Sequence, residues 1–475
     1  MKFEYPLIAV VGILVVIILV FIAISETSEP VEVIVEQEIS LEEIKQITEK
    51  AFIYAYPLLE NYRIMYGNMV DESSDEFLGS YNTLYDEEKL ATPDDKGFVS
   101  PNADALYTYV WFDLRAEPMV VTLPPIEEDR YYTFQNVDYF SNNYFYMGTA
   151  TTGNDGGTFL IAGPNWNGII PSGIDDSTQS ATEFNYVLER NQVKNNEDVP
   201  NANSIQKQFK IQSLSEFVGT AKPDSPPKID FIPWNSEQGY SGDFVNYFNL
   251  ILTWSEIPES EKSLFEEFSK IGIKPGETVD WDSIDPKIKN AINEGAKTGF
   301  DKIKGNLPNI GTVVGDWLIL DAYGDAKYHK DDFLRRASGV LLGQYGNSMQ
   351  EAIYPAALPS NGIPYDGQKN NYEIKFSSEP PVRAFWSLTV YDSETQFLID
   401  NPIDRYLINS SSDIQKNDDG SFVLYLQHEP PEDEKQSNWI PINDGSFYFG
   451  MRLYLPDESI SNGLWEYPII GTIPK

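Results

Sequence analysis

The stretch Pro101–Gly148, PNADALYTYVWFDLRAEPMVVTLPPIEEDRYYTFQNVDYFSNNYFYMG, decides how the chain is read. It is the densest run of strand-forming aromatic residues in the sequence. Alternation sets Val110, Phe112 and Leu114 on one face and Tyr107, Tyr109, Trp111 and Asp113 on the other, the period-two pattern of a half-buried strand. Pro124-Pro125 closes one strand, since proline cannot donate to a ladder, and Tyr131–Asp138 makes the next. Asn102, Asp104, Tyr107, Arg130 and Asp138 supply an amide, two carboxylates, a phenol and a guanidinium within this stretch. Such groups bind a polar ligand through directed hydrogen bonds, while the rings stack on sugar or apolar faces. They can equally organise structure, with Asn102 and Asp104 shaping a turn and Arg130 pairing with a carboxylate.

A second β region follows Tyr354-Pro355. Trp386, Leu388 and Val390 face one way, Phe422, Leu424 and Leu426 repeat the pattern, and Phe447 to Leu455 leaves Tyr448, Arg452 and Tyr454 opposite the apolar face. Short strands between turns such as Asn417-Asp418-Asp419-Gly420 predict an antiparallel sandwich. Arg383, Trp386, Tyr391, Arg405, Trp439 and Arg452 form the candidate ligand set here. The competing reading has the charges fixing loops and the tryptophans covering sheet ends.

Helices surround these regions. Ser40 with Glu43 reads as a capping box opening a helix that Pro57 should kink or restart and Gly67 should end. From about Gly239 to Gly346 helices take over, one of them opened by Asp285-Pro286 and ended by Gly305. A further helix is expected from Lys327 to Leu342. On it Asp325, His329 and Asp332 would fall at i, i+4 and i+7, on one face; that spacing suits a metal but suits an exposed first turn better.

At the N-terminus, Leu7–Ile24 is a run of eighteen uncharged residues, LIAVVGILVVIILVFIAI, long enough to span a bilayer. No A-x-A pattern follows it. It is expected to be a transmembrane signal anchor, with the bulk of the chain extracytoplasmic; secretion after signal cleavage is the alternative. The expected organisation is anchor and spacer over 1–38, a helix and first β domain over 39–238, a helical region over 239–353 and a second β domain over 354–475. The fold class is α+β, with two antiparallel β-sandwich, jelly-roll-like domains.

Composition narrows function. The 475 residues carry a formal net charge of -39, which repels nucleic acid. There is no cysteine, so thiolate chemistry and cysteine-ligated zinc or iron–sulfur clusters are excluded. Only His329 and His428 are available as imidazoles; His428, in a loop beside Glu429, is a weak general-base candidate. A three-histidine metal site is therefore impossible; a divalent cation remains open, with Asp104 and Asp138 the candidate ligands in the first β region. No phosphate loop, dinucleotide turn or G-x-S-x-G elbow is present.

Two segments carry a resemblance. The block from SPNADALYTYVWFDL to YFYMG resembles the domain of unknown function 1254. PPVRAFWSLTVYD, NPIDRYLI, DGSFVLYLQHEPP, NWIPINDGSFYFGMRLYLP and GLWEYPII resemble its companion, the domain of unknown function 1214. The resemblance covers most of the chain after about Ile39. It implies an envelope-associated protein with a helical part and two jelly-roll-like domains, and it implies no activity. Family members often show Asn-x-Asp-Thr where this chain has Asn102-Ala103-Asp104-Ala105, so the amide and carboxylate are kept and the hydroxyl is not.

Three functions are open to such a chain. The first is binding of a small polar ligand, a glycan or a protein partner. The second is hydrolysis by carboxylates, with or without a divalent metal. The third is a structural or assembly role, including as a homo-oligomer. A binder should show an aromatic-lined groove, an enzyme several convergent carboxylates with perturbed acidities, and an assembly subunit a broad apolar patch.

Overall fold

The alternation around Tyr107 becomes the strand Ala105–Asp113, which pairs antiparallel along its whole length with Phe184–Gln192. These two lie inside a five-stranded sheet, flanked by Tyr85–Asp86 on one side and by Tyr132–Asp138 and Asn143–Gly148 on the other. A four-stranded sheet of Asp176–Gln179, Gly157–Ala162, Met119–Leu123 and Lys210–Ser213 lies against it. Val110, Phe112 and Val187 from the first sheet share one core with Met119, Val121, Phe159 and Ile161 from the second. The computed structural model describes residues 39–96, 99–359 and 363–475.

The C-terminal region repeats the scheme. Ser446–Tyr454 is central to an eight-stranded sheet, paired with Trp386–Asp392 along its length. The facing four-stranded sheet runs Trp439–Pro441, Phe422–Gln427, Asn370–Phe376, Ile469–Pro474. Leu388, Val390, Phe447 and Phe449 meet Ile374, Leu424 and Leu426 in a single core. Pairing is antiparallel throughout the described residues except Gly157–Ala162 with Asp176–Gln179 and Phe422–Gln427 with Trp439–Pro441, which are parallel. The fold is thus α+β with mostly antiparallel sheets. One hairpin from the predicted helical stretch, Gly311–Val314 with Trp317–Leu320, also joins the C-terminal sheet through Pro355–Ala357.

Ser40 caps the first helix as expected, its Oγ accepting from the Glu43 amide at 3.1 Å. One helix runs Leu41–Met69, so Pro57 does not restart it and Gly67 does not end it. Proline removes a single backbone donor, and burial of Tyr54, Leu58, Tyr62 and Met65 around it outweighs that loss. The helix Pro286–Gly305 packs closely on it because glycine lies at the crossing: a Cβ on Gly295 would sit 2.6 Å from the Lys45 carbonyl oxygen. The expected helix over 327–342 is in fact two, Ala326–His329 and Phe333–Leu342. Lys330 between them has φ +47°, which breaks the common face proposed for Asp325, His329 and Asp332. The expected membrane anchor, Leu7–Ile24, lies outside the described residues. Among the described residues no helix is long and apolar enough to cross a membrane.

Candidate functional site

The two β regions turn their polar faces toward each other. In the first, Val110 and Phe112 point into the core, so Tyr107 and Tyr109 point out of it. The neighbouring strand buries Val187, which leaves Tyr186, Leu188 and Arg190 on the same outer face, with Arg190 directly opposite Tyr107. In the second region Phe447, Phe449, Met451 and Leu453 fill the core, so Tyr448, Arg452 and Tyr454 face away from it. Tyr391 stands opposite Tyr448 on the next strand. Between these faces is a cavity of about 1240 Å³. Ligand pockets are usually about 300–1,000 Å³, so there is room for an organic molecule with water.

The seam of the cavity is the segment Ser100–Asn102. Tyr391 Oη donates to the Pro101 carbonyl at 2.9 Å, and Arg452 Nη2 donates to the Ser100 carbonyl at 2.9 Å. The Ser100 and Tyr448 hydroxyls share a hydrogen bond of 2.6 Å. Asn102 is buried; its Nδ2 donates to Tyr454 Oη at 3.0 Å while its Oδ1 accepts from the Asp104 amide at 3.2 Å. Asn102 therefore shapes a turn and also lines the cavity. Asp104, 1% exposed, lies behind the wall with no hydrogen bond to either carboxylate oxygen, and burial pushes its pKa upward against the pull of Arg452.

Arg190 is 7% exposed and is held by neutral acceptors only: Gln135 Oε1 at 2.6 Å, Asn347 Oδ1 at 3.2 Å and the Tyr345 carbonyl at 2.9 Å. Tyr345 stacks on Tyr186, ring centroids 4.1 Å apart. Glu351, buried behind Arg190, accepts from Tyr131 Oη at 3.0 Å, and burial raises its pKa to about 7. The rim carries Asp86, Glu87, Glu88, Asp94 and Asp95 against Lys89 and Lys96.

Of the residues singled out in the sequence, Asn102, Tyr107, Tyr391 and Arg452 come together in this cavity, with Asp104 immediately behind. The others lie elsewhere. Arg130 is buried in a bidentate pair with Asp198, at 2.9 and 2.6 Å, and also binds Glu127. Asp138 closes a turn by accepting from the Asn142 amide and side chain. Trp386 is core, packed against the stacked pair Phe376 and Phe422. Arg405 donates to the Gln436 and Trp439 carbonyls, Trp439 Nε1 donates to the Gln427 carbonyl, and Arg383 is exposed. Asp325 and Asp332 each cap their own helix, and His329 is buried with its pKa lowered to about 3 by burial and then by Arg336 and Arg335. His428 sits in a partly exposed loop, hydrogen-bonded to the Ile442 carbonyl. Among the described residues no three histidine, aspartate or glutamate side chains gather as a metal shell, and Asp104 and Asp138 share no site.

Arg190 and Tyr186 escaped the sequence reading. The strand FNYVLERNQ alternates Tyr186, Leu188 and Arg190 against Val187 and Glu189, but both sets are apolar and charged in part. Nothing in the pattern tells which charge faces a cavity.

Comparison with known proteins agrees with this architecture. The crystal structure of the VPA0106 protein from Vibrio parahaemolyticus superposes with a TM-score of 0.74 at 23% identity, over 90% of this chain and 100% of that one, which shows a shared fold. An uncharacterised protein from Burkholderia cenocepacia aligns over 91% of this chain and 95% of that one, at 11% identity and a TM-score of 0.43, too low to bear on the site. No curated protein matches the chain. The family model described as Protein of unknown function (DUF1254) matches residues 81–213, and Protein of unknown function (DUF1214) matches 351–458. The cavity wall draws Tyr107 and Arg190 from the first matched segment and Arg452 and Tyr454 from the second, and the chain belongs to the paired DUF1254/DUF1214 family.

Proposed function

We propose that this protein is a membrane-tethered, extracytoplasmic binder of a small organic molecule, and that the cavity between its two β regions is the binding site. We read each pair of sheets as a jelly-roll-like β-sandwich, with the apolar run Leu7–Ile24 as the tether. The observation that carries the binding reading is the cavity itself, about 1240 Å³, walled by tyrosines and two arginines contributed by both regions. Tyr107 and Arg452 lie deep in the molecule yet keep part of their surface open to it. Phenol rings give broad apolar contact with a polar edge, the lining expected of a ligand pocket. A hydrolase built on Asp104 and Asp138 would need both carboxylates on one open surface, and Asp138 is engaged in a turn elsewhere. Binding is therefore the reading favoured.

The test is ligand-observed NMR on the full chain in detergent, against a panel of aromatic acids, amines, sugars and neutral aromatics, repeated with Tyr107→Ala and Tyr391→Ala. At least one chemical class should bind the native chain and be lost in the variants. A panel with no binder, or with binders indifferent to both variants, overturns the reading. A C-terminal reporter active only outside the cytoplasm tests the topology; activity confined to the cytoplasm overturns the tether's orientation.

A further inference from the structure

We infer that the cavity holds an organic carboxylate, with its anionic end seated between Arg190 and Arg452; this rests on the binding reading above and gives it a ligand class. A guanidinium removed from water is costly unless an anion compensates it, and a carboxylate is its planar, bidentate match. Neither arginine forms an ion pair among the described residues. Arg190 has only the neutral acceptors of Gln135, Asn347 and Tyr345. Arg452 has only the Thr389 hydroxyl at 3.3 Å and the Ser100 carbonyl. Among the described residues the Nε–H of each makes no hydrogen bond.

The two cations also share Tyr107 as a neighbour and line the same cavity. Tyr107 lies opposite Arg190 in the sheet, with the guanidinium 6.0 Å from its ring centroid, and it lies within the electrostatic reach of Arg452. The acids nearest to them, Asp104 and Glu351, are both buried, and neither forms a salt bridge with Arg190 or Arg452 among the described residues; burial raises the pKa of Glu351 to about 7. A folded chain with net charge -39 thus encloses two positive side chains facing one space lined by aromatic rings. The rest of the ligand would lie along Tyr107, Tyr186, Tyr391 and Tyr454. Its far end would meet a rim of five acids and two lysines, which disfavours a second negative charge there.

The experiment titrates the full chain by calorimetry with matched pairs that differ only in charge: 2-naphthoate against 2-naphthamide, and 4-hydroxycinnamate against its amide. The acids are expected to bind at least ten-fold more tightly than the amides. Arg190→Gln and Arg452→Gln should each abolish that preference, and Arg190→Lys and Arg452→Lys should keep part of it. Thermal midpoints without ligand identify any variant that fails to fold, and the lysine variants, which keep the charge, then carry the comparison. Amides that bind as well as acids, or a preference that survives both glutamine variants, overturn the inference. If neutral members of the NMR panel bind while no acid does, the carboxylate assignment falls and the binding cavity stands. If nothing binds, both fall.

Discussion

Asn102 Nδ2 donates to Tyr454 Oη across 3.0 Å, joining two residues 352 positions apart and sealing one corner of the cavity. The same amide accepts from the Asp104 backbone, so one buried side chain sets both the turn and the junction between the β regions. Asn102→Ala leaves a buried phenol and a buried amide N–H without partners. It should destabilise the fold by about 1–3 kcal/mol in chemical denaturation. Tyr454→Phe removes only the hydroxyl, and a double-mutant cycle should return a coupling of about 0.5–3 kcal/mol. Additive single effects would show that the two do not act together.

Arg130 carries a purely structural load. It is 2% exposed, and its guanidinium fork meets both carboxylate oxygens of Asp198, with Glu127 on Nε. Asp198 also accepts from the Lys194 amide, and the pair holds its pKa down despite burial. Arg130→Met leaves that carboxylate without its cation and should cost about 3–5 kcal/mol, measured by urea unfolding. In the titrations above this variant, if folded, should keep the native preference for acids, because it does not line the cavity.

Gly295 is where two long helices come closest. A Cβ there would meet the Lys45 carbonyl oxygen and Thr48 Cβ, each at 2.6 Å, and both are fixed parts of the opposing helix. Gly295→Ala should therefore destabilise by about 1–3 kcal/mol through overpacking, although alanine favours a helix. Gly305, at the end of the same helix, has nothing within 4 Å of its would-be Cβ. Gly305→Ala is the control, and its thermal midpoint should stay near that of the native chain.

Much of this was legible in the sequence, for a reason visible in individual residues. Alternation assigns each side chain to one face of its own strand, so the separation of Val110 and Phe112 from Tyr107 and Tyr109 holds in the structure. Caps are equally local: Ser40 and Asp285 act where their spacing predicts. What covers a face is not local. Tyr391 and Arg452 reach Pro101 and Ser100 from about 290 and 352 residues away, and no periodicity encodes that meeting. Arg130 precedes a strand and Arg452 lies within one, yet neither position says that one has its own carboxylates and the other faces the cavity. The face drawn through Asp325, His329 and Asp332 failed for a local reason, since Lys330 in a left-handed conformation interrupts the helix they would have shared.

Glu351 ties the stability of the cavity wall to pH. It is 3% exposed, accepts from Tyr131 Oη and lies beside Thr133, and burial raises its pKa from 4.5 to about 7. Between those values the folded chain keeps a proton that the unfolded chain releases. The contribution of this group to stability is therefore full below about pH 4.5 and declines as pH rises through about 7. A shift of that size corresponds to roughly 3 kcal/mol, an upper figure for a site next to Arg190. Glu351→Gln keeps an acceptor for Tyr131 and cannot ionise. In urea unfolding it should be more stable than the native chain at pH 8, by up to about that amount, and the gap should close by pH 5. A gap that stays constant from pH 5 to pH 8 would mean that Glu351 is already ionised throughout. Arg190 would then have a counter-charge of its own, and the case for an external anion would weaken with it.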